Sequence, residues 1–402
     1  MKATETTIEV PDVVLKAVAN QDKVDEPPHS FYKYPARFSP VFAREAIKAF
    51  TRKGQTVLDC FCGGGTALVE AIALGRRAVG FDISSLAVFL ARTKTSSISV
   101  HDRREILEWA EVIGDLKESV AGGGGEMTEE EAHYRRNLPE VPRAFFENVI
   151  DLIKFLPKVR QQRLARLALL GVGQLALDCK EGTPSWETMQ KQFLARVSDV
   201  VENHFRFAGR AAAASKVQRW RLSETRRVIN RTCEESHDDG RVPGDWMPAK
   251  LVLTSPPYPG VHVLYHRWQI KGRREAPAPF WLAGCRDGAG ASYYCLGNRG
   301  QQELKAYFER LGRAFSSVCR LIDEESLVVQ LVAFSQPDWQ LPAYLKKMEG
   351  AGLVEIQPLC ADEYLFEGRI WRDVPGRKWY AKNMGKTASS QEVLLLHRKR
   401  SV

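Results

Sequence analysis

One stretch decides the fold: Thr56-Val-Leu-Asp-Cys-Phe-Cys-Gly-Gly-Gly-Thr66, in which an apolar strand leads into a glycine turn and then a helix. Glycines at such a junction let the backbone approach a ligand closely and leave the N–H groups of the helix N-terminus free. The next strand ends at Asp82, 23 residues after Asp59. This spacing is close to the roughly 20 residues expected for an acid that binds ribose hydroxyls. Because the run is neither Gly-x-Gly-x-x-Gly nor followed by a Walker lysine, it predicts only a nucleoside-type cofactor.

The pattern around this stretch predicts the α/β class. Strands alternate with helices, which favours a mostly parallel, Rossmann-like sheet with crossover helices. Between residues 97 and 225 the periodicity is helical, with little strand signal. We predict an irregular N-terminal arm (1–28), one catalytic domain in two pieces (29–96 and 226–402) and a helical insertion (97–225). Further strands are predicted at residues 227–230, 250–254, 326–332, 353–359 and 392–397, the last two closing the sheet as an antiparallel hairpin.

Composition narrows the function. The 402 residues are 44% hydrophobic and 27% charged, as in a packed soluble protein, and the net charge of +9 favours a polyanionic partner. No apolar run approaches the roughly 18 residues of a membrane span. The eight cysteines form no Cys-x-x-Cys pair and the histidines lack metal-ligand spacing, so we predict no metal site. Scattered thiols are typical of a reducing compartment, which predicts a cytoplasmic protein.

A second turn carries most of the chemistry. The strand at 250–254 runs into Ser255-Pro256-Pro257-Tyr258, whose prolines end the sheet in a rigid turn. An exocyclic base amine is a poor nucleophile because its lone pair is delocalised into the ring. Acceptors for its two N–H bonds, here the Ser255 hydroxyl and the Pro256 carbonyl, would localise that lone pair. Tyr258 offers a flat face for stacking an extruded base.

Together the two turns resemble motifs I and IV of the amino-group DNA methyltransferases, which modify cytosine N4 or adenine N6. The Ser-Pro-Pro-Tyr form is more similar to the N4-cytosine branch. A third segment, His29-Ser-Phe-Tyr-Lys-Tyr-Pro-Ala-Arg-Phe38, resembles the family's motif X, which helps to close over the cofactor. The resemblance covers residues 29–95 and 226–398. It implies in-line methyl transfer from S-adenosylmethionine to a base flipped out of duplex DNA, without a metal. It also implies a prokaryotic or phage context, association with the nucleoid and a possible cognate restriction endonuclease.

The resemblance also implies roles for individual residues. Ser255, Pro256, Pro257 and Tyr258 would hold the target base. Two departures stand out, since Cys60 replaces the family's usual proline and residues 230–233 offer no clear acid for the cofactor adenine. The implied cofactor contacts are Tyr32, Lys33, Pro35, Phe38, Asp59, Phe61, Gly63, Gly65, Thr66, Asp82 and Ile83.

Basic segments suggest where DNA binds. Between His204 and Thr232 eight basic residues face one acid, Glu224, an imbalance that points to phosphate contact. Two later segments interleave bases with aromatics, which suits contact with phosphates and bases. The helical insertion would recognise the target. The predicted nucleic-acid contacts are Arg219, Arg226, Arg227, Arg267, Trp268, Arg372, Arg377, Lys378, Trp379 and Tyr380.

Other functions remain open at this level. Related turns that begin with Asn or Asp occur in enzymes that methylate adenine N6, RNA bases or protein glutamine, and the same acceptors would serve each substrate. A non-catalytic nucleic-acid-binding protein on a degenerate methyltransferase fold is the alternative from another class. Bound cofactor without turnover would identify that case.

Overall fold

Helices and strands alternate along most of the chain. The computed structural model describes residues 6–34, 38–118, 128–260, 267–272, 274–288, 294–297, 301–374 and 391–401. The helices are α1 (Asp12–Ala19), α2 (Pro40–Phe50), α3 (Thr66–Ala73), α4 (Ser85–Lys94), α5 (Val100–Gly114), α6 (Glu129–Arg135), α7 (Glu140–Ile153), α8 (Val159–Leu177), α9 (Trp186–Ala214), α10 (Ala278–Ala283), α11 (Gln301–Cys319) and α12 (Pro337–Gly350). The strands are β1 (Thr7–Glu9), β2 (Thr56–Asp59), β3 (Arg77–Asp82), β4 (Arg226–Asn230), β5 (Leu251–Thr254), β6 (Trp268–Ile270), β7 (Arg274–Ala276), β8 (Leu327–Val332), β9 (Leu353–Glu355), β10 (Gln357–Leu359), β11 (Leu365–Phe366), β12 (Arg369–Asp373) and β13 (Gln391–Lys399).

The central sheet has the order β11-β12-β13-β8-β5-β2-β3-β4, and β9 pairs with the far end of β13. The five strands from β8 to β4 are parallel, whereas β13 runs antiparallel to both β8 and β12. The predicted α/β class, with a mostly parallel Rossmann-like sheet and an antiparallel C-terminal end, is confirmed. All five parallel strands end at one edge, where ligands bind in open α/β sheets.

The partner strand in the antiparallel end differs from the prediction. The predicted strand at 353–359 breaks at Ile356 into β9 and β10, and β10 pairs with β1 outside the main sheet. Strand β9 does pair antiparallel with β13, as predicted, but a second strand, β12, pairs with the other part of β13, in a segment where no strand was predicted. Its side chains include two arginines, so it lacks the apolar pattern of a buried strand.

The N-terminal segment is not the irregular arm that we predicted. Strand β1 extends along β10, and helix α1 buries Val14, Leu15 and Val18 against the catalytic fold. The prediction missed this helix because its eight residues are short for a periodicity signal. The segment therefore belongs to the same core as the parallel sheet.

The sheet is covered on both faces, as a parallel sheet requires. Alternate residues of each strand point to opposite faces, so Val57 of β2 packs with α1, α2 and α3 while Leu58 packs with α11 and α12. These two apolar layers hold the strand ends, and hence the two motif turns, in fixed positions.

Helices α5 to α9 fill the region predicted as a helical insertion. They form a third apolar cluster, which α4, α10 and the β6–β7 hairpin join. Helix α9 has 29 residues, and its two halves belong to different cores. Trp186 and Phe193 pack in the helical cluster, whereas Phe207 and Ala211 pack beneath the catalytic sheet. The predicted boundary at residue 225 therefore separates the C-terminal half of α9 from the core in which it packs. No helix in the described ranges is long and apolar enough to cross a membrane.

Candidate active site

The glycine turn begins where β2 ends. Gly63 and Gly65 have φ angles of +46° and +81°, in the left-handed region that glycine adopts without strain. Gly65 is also the N-cap of α3, and no side chain caps that helix. The first N–H groups of α3, with the positive end of its dipole, therefore face the turn. The backbone N–H groups here can bind a ligand, because no side chain of the protein caps them.

Tyr34 covers this turn. A Cβ atom built on Gly63 would lie 3.0 Å from the Tyr34 ring, and one on Gly64 would lie 2.8 Å from Tyr34 Cβ. Any side chain on Gly64 would collide with that position. The segment resembling motif X is thereby packed directly against the one resembling motif I, as expected for an element that closes over a cofactor.

A buried network anchors the same segment from below. His29 Nε2 lies 2.7 Å from Glu70 Oε1 on α3, and Arg44 donates to both oxygens of Glu70. The hydrogen bonds from His29 and Arg44 keep the pKa of Glu70 below its usual value despite burial. Glu70 thus ties the covering segment to the helix that follows the glycine turn.

Asp82 stands at the end of β3 with both carboxylate oxygens facing the turn. One oxygen accepts from the Gly63 N–H at 2.8 Å and the other from the Ser84 N–H at 2.8 Å. Burial raises the pKa of Asp82 to about 6, although the two hydrogen bonds oppose that rise. Each oxygen retains a lone pair, so an ionised Asp82 can also accept from the two hydroxyls of a ribose.

Asp59 links the two motif turns. Its Oδ1 accepts from Thr254 Oγ1 at 2.7 Å and from the Phe61 N–H at 3.2 Å. Thr254 immediately precedes Ser255, so this bond joins the ends of β2 and β5. Burial raises the pKa of Asp59 to about 7, and the Thr254 hydrogen bond opposes that rise. Asp59 is 2% exposed, which makes it a brace between the turns rather than the predicted cofactor contact.

Replacing Thr254 with valine should destabilise the protein by about 1–3 kcal/mol, because Asp59 loses a buried hydrogen-bond donor. Without that donor the pKa of Asp59 rises above about 7. The folded state then disfavours ionisation more strongly, so the loss of stability should grow as pH increases through 7. Urea denaturation between pH 6 and 8 measures the difference.

Thr95→Val is the matched control. Thr95 is also buried, but its hydroxyl donates to the Ala91 carbonyl within α4 and meets no carboxylate. Its cost should not vary with pH over this range. An equal, pH-independent loss in both variants would contradict the assigned role of Thr254.

The Ser-Pro-Pro-Tyr turn follows β5 directly. Ser255 Oγ donates to the Leu331 carbonyl at 2.9 Å and lies 3.0 Å from the Tyr258 hydroxyl. The Pro257 carbonyl accepts from Tyr307 at 2.6 Å. No bond to the Pro256 carbonyl is formed within the described ranges. Pro256 is buried and Pro257 lines the pocket in its place, so the acceptor role of the Pro256 carbonyl stays a prediction.

Tyr258 is placed differently from the prediction. Its ring is 5% exposed and packs in the cluster that contains α11 and α12. Its hydroxyl donates to Glu392 Oε1 at 2.6 Å. Stacking on a base would require the neighbouring residues to move, so the stacking role stays a prediction.

Both motif turns line one open cleft, whose empty space is about 630 Å³ including open solvent. Four of its residues, Phe61, Gly63, Asp82 and Ile83, are among the predicted cofactor contacts. Ser255 and Pro257 line it from the other side. Prediction missed six of its residues, which come from four segments far apart in the chain: Tyr34, Cys60, Thr232, Cys233, Tyr294 and Leu296.

Several predicted cofactor contacts lie elsewhere. Tyr32 is buried against Trp268, whose indole N–H donates to its hydroxyl at 3.1 Å, and Phe38 packs edge-on against Phe42. Lys33 is exposed, with its backbone bonded to Gln174. Within the segment resembling motif X, the residue that lines the pocket is Tyr34, which the sequence analysis did not single out. Gly65 and Thr66 shape the turn and begin α3, and Pro35 lies outside the described residues.

Three arginines of the basic stretch serve the fold. Arg226 is largely buried and donates to the carbonyls of Thr95 and Arg92 at 3.1 and 3.2 Å. Arg219 lies 3.7 Å over the Phe205 ring, and Arg227 lies 4.7 Å over Trp246. The predicted phosphate contact of Arg226 is therefore corrected, because its charge is directed into the protein. The structure does not support this role for Arg219 or Arg227 either.

The later basic residues behave similarly. Arg267 pairs with Asp287 at 2.8 Å and with Glu275 at 3.3 Å. Trp268 is 1% exposed, and Arg372 donates to Glu392 and to the Val18 carbonyl. The predicted DNA contacts of Arg267 and Arg372 are corrected because their charges are paired within the protein. That of Trp268 is corrected because its side chain is buried. Arg377, Lys378, Trp379 and Tyr380 lie outside the described residues. Over the ranges that the structure describes, no three His, Cys, Asp or Glu side chains are grouped to hold a metal ion.

With this geometry in place, comparison with known proteins shows which family part of the chain resembles. Residues 9–92 match the family model described as DNA methylase. The resemblance to the amino-group DNA methyltransferases is confirmed. The matched range contains the segment resembling motif X, the glycine turn and Asp82, and it extends into the N-terminal segment that we had set apart as an arm.

The curated relatives that match parts of the chain are named as Type II methyltransferases. The chain is 32% identical over 124 residues to M.MvaI of Kocuria varians, covering 29% of this chain and 25% of that enzyme. It is 28% identical over 79 residues to M.MjaII of Methanocaldococcus jannaschii, covering 20% and 15%. It is 31% identical over 72 residues to M.BglI of Bacillus subtilis, covering 18% and 21%. The chain thus spans at most a quarter of the length of these relatives.

Proposed function

We propose that the protein is a DNA methyltransferase that transfers a methyl group from S-adenosylmethionine to the N4 amine of cytosine in duplex DNA. The observation that carries the proposal is the single pocket lined by both Asp82 and Ser255. A ribose-binding carboxylate and an amine-binding acceptor thereby face one space. This arrangement brings the two reactants of a direct transfer together.

The residues at the glycine turn fit the proposed cofactor. Asp82 is an acceptor for the ribose hydroxyls, and the uncapped N-terminus of α3 suits the carboxylate of a methionine moiety. Thr232 and Cys233 line the pocket beyond β4 and are placed to border the adenine. When bound, S-adenosylmethionine supplies an electrophilic methyl group on a sulfonium centre. The protein holds that group in place and excludes water.

Ser255 and Pro256 would prepare the target amine. The Ser255 proton is directed at the Leu331 carbonyl, which leaves the Ser255 oxygen able to accept an N–H from the base. The Pro256 carbonyl accepts the other N–H and directs the nitrogen lone pair toward the cofactor. The nitrogen gains the methyl group and releases one proton to solvent, so no covalent enzyme intermediate forms. The base must leave the duplex to reach this pocket.

Cytosine N4 is favoured over adenine N6 by the serine at the first position of the turn. Mass spectrometry of nucleosides from DNA treated with the protein and labelled S-adenosylmethionine tests the proposal directly. We expect labelled N4-methylcytosine. Labelled N6-methyladenine alone would overturn the base assignment, and label in RNA but not in DNA would overturn the substrate class.

DNA phosphates would be met by exposed lysines beside the pocket. Lys33 precedes Tyr34, Lys180 bridges to β6 at Ile270, and Lys271 lies in the turn of the β6–β7 hairpin. Lys33 and Lys180 both interact electrostatically with the Cys179 thiol, which places them on one surface. Because this surface belongs partly to the helical layer, that layer is suited to take part in target recognition.

Replacing Lys33, Lys180 and Lys271 together with alanine should weaken duplex binding and flatten its salt dependence. Each lost phosphate contact lowers the slope of log K against log salt by about 0.9, so a total change of about 2 to 3 is expected. Fluorescence anisotropy over a range of salt concentrations measures the slope.

Arg52 and Lys53 offer a control, since both are exposed before β2 at the opposite edge of the sheet. Their replacement should leave the slope unchanged. Arg226→Ala should instead lower stability, because its buried contacts to backbone carbonyls are lost. A flat salt response in the unmodified protein would contradict DNA as the substrate.

A further inference from the structure

A chain of hydrogen bonds runs from the proposed base site to the far side of the sheet. Ser255 Oγ lies 3.0 Å from the Tyr258 hydroxyl, which donates to Glu392 Oε1 at 2.6 Å. Glu392 Oε2 in turn accepts from Arg372 Nε at 2.7 Å and from its Nη2 at 2.5 Å. Glu392 is 1% exposed and lies on β13, while Arg372 lies on the neighbouring β12. The register places the two residues directly opposite each other.

The direction of these bonds is fixed by charge. The Arg372 guanidinium donates two hydrogen bonds to the buried Glu392 carboxylate, a pairing that stabilises the charged form of both groups. An ionised carboxylate only accepts, so the single Tyr258 proton must point at Glu392. Tyr258 then has no proton for Ser255, and the Ser255 proton is directed at the Leu331 carbonyl or at the Tyr258 oxygen. In either case the Ser255 oxygen keeps a lone pair for a substrate donor.

We propose that Glu392, held by Arg372, is a positioning residue that keeps Ser255 a hydrogen-bond acceptor by holding the Tyr258 proton away from it. The inference rests on the proposed function, because it concerns the acceptor for the target amine. It gives Tyr258 a role through its hydroxyl that does not depend on stacking. It also explains an ion pair buried beside a catalytic turn, where two apolar residues would be no less stable.

Glu392→Gln tests the inference because it preserves shape and reverses polarity. The two Arg372 donors require the amide oxygen, so the amide NH₂ faces Tyr258 and donates to it. The Tyr258 proton then turns to Ser255 and occupies one of the two lone pairs of that oxygen, which leaves Ser255 a weaker acceptor for the target amine. We expect kcat to fall about two- to tenfold, because one lone pair of Ser255 stays available, with cofactor affinity and the KM for DNA nearly unchanged. Isothermal titration and thermal denaturation verify that the variant is folded and binds S-adenosylmethionine.

The double variant Glu392→Gln with Tyr258→Phe provides the decisive comparison. Without the Tyr258 hydroxyl, no proton can be turned toward Ser255, so the second substitution should restore kcat to the level of Tyr258→Phe alone. Tyr258→Phe alone, measured under the same conditions, is the reference for that comparison. A purely structural role predicts instead that the double variant is at least as impaired as Glu392→Gln. Absence of rescue, or full activity in Glu392→Gln, would overturn the inference.

Neutron diffraction on the deuterated protein gives an answer that does not depend on activity. The Tyr258 deuteron should lie on the Glu392 side in the unmodified protein and on the Ser255 side in Glu392→Gln. A deuteron bonded to the Tyr258 oxygen and directed at Ser255 in the unmodified protein would overturn the inference. Failure of the unmodified protein to methylate DNA would overturn the proposed function instead, so the two failures are distinguishable.

Discussion

Replacing Ser255 with alanine should slow methyl transfer about five- to 150-fold, since one hydrogen bond to the target amine, worth about 1–3 kcal/mol, is lost at the reacting nitrogen. The pocket keeps its shape, because alanine removes only the hydroxyl. Affinity for S-adenosylmethionine should not change, since the cofactor contacts lie on the side of Asp82 and Gly63. Single-turnover kinetics with radiolabelled cofactor measure the step directly.

Ser335→Ala is the matched control for that variant. The Ser335 hydroxyl donates to the Pro259 carbonyl just beyond the same turn, at 3.3 Å, but it does not line the pocket. Its loss should leave the transfer rate within a few-fold of the unmodified protein. Full activity in Ser255→Ala would remove the serine from the mechanism, and equal losses in both variants would mean that only the shape of the turn matters.

Replacing Asp82 with alanine should weaken cofactor binding by about ten- to 150-fold, as expected for losing hydrogen bonds to a charged group worth about 1.5–3 kcal/mol. Burial raises the pKa of Asp82 to about 6 in the free protein, so the unmodified protein should also lose affinity in mild acid. Below that pKa the carboxyl is protonated and one acceptor is lost. The dissociation constant should then rise about tenfold for each pH unit below 6.

Asp82→Asn separates this titration from that of its neighbours. Asp59, with a pKa of about 7, is the other carboxyl near the turn, whereas burial raises the pKa values of Cys60 and Cys62 well above their usual range. Isothermal titration from pH 8 to pH 5 should show the steep loss of affinity in the unmodified protein and a much flatter profile in Asp82→Asn. Identical profiles would exclude Asp82 as the titrating group.

The two motif turns were predictable because glycine and proline restrict the backbone locally. Gly63 and Gly65 adopt positive φ angles, and the prolines of the second turn end β5 where predicted. The bond that joins the two turns was not predictable, since Asp59 and Thr254 are 195 residues apart. Only the strand order, with β2 beside β5, brings them together. Local pattern thus identified the parts of the site but not their coupling.

The roles of the arginines show the same limit. A run of basic residues predicts phosphate contact when their partners are unknown. Arg226 finds its partner in a backbone carbonyl 131 residues earlier, and Arg372 finds Glu392 on the next strand. Strand β12 was missed for the same reason, because its charged residues are neutralised by groups distant in sequence. Burial of a guanidinium cannot be inferred from composition alone.

Helix α9 limits how the specificity of such a protein can be engineered. At 29 residues it extends about 43 Å, with Trp186 in the helical layer and Ala211 under the catalytic sheet. A graft that exchanged residues 97–225 for those of a relative would replace half of one core while keeping its other half. The transplant must either carry α3 along or stop before His204, where the helix passes from one core to the other. Exchanging the helical layer of this chain therefore requires a junction within one continuous helix, rather than at the loops on either side of the layer.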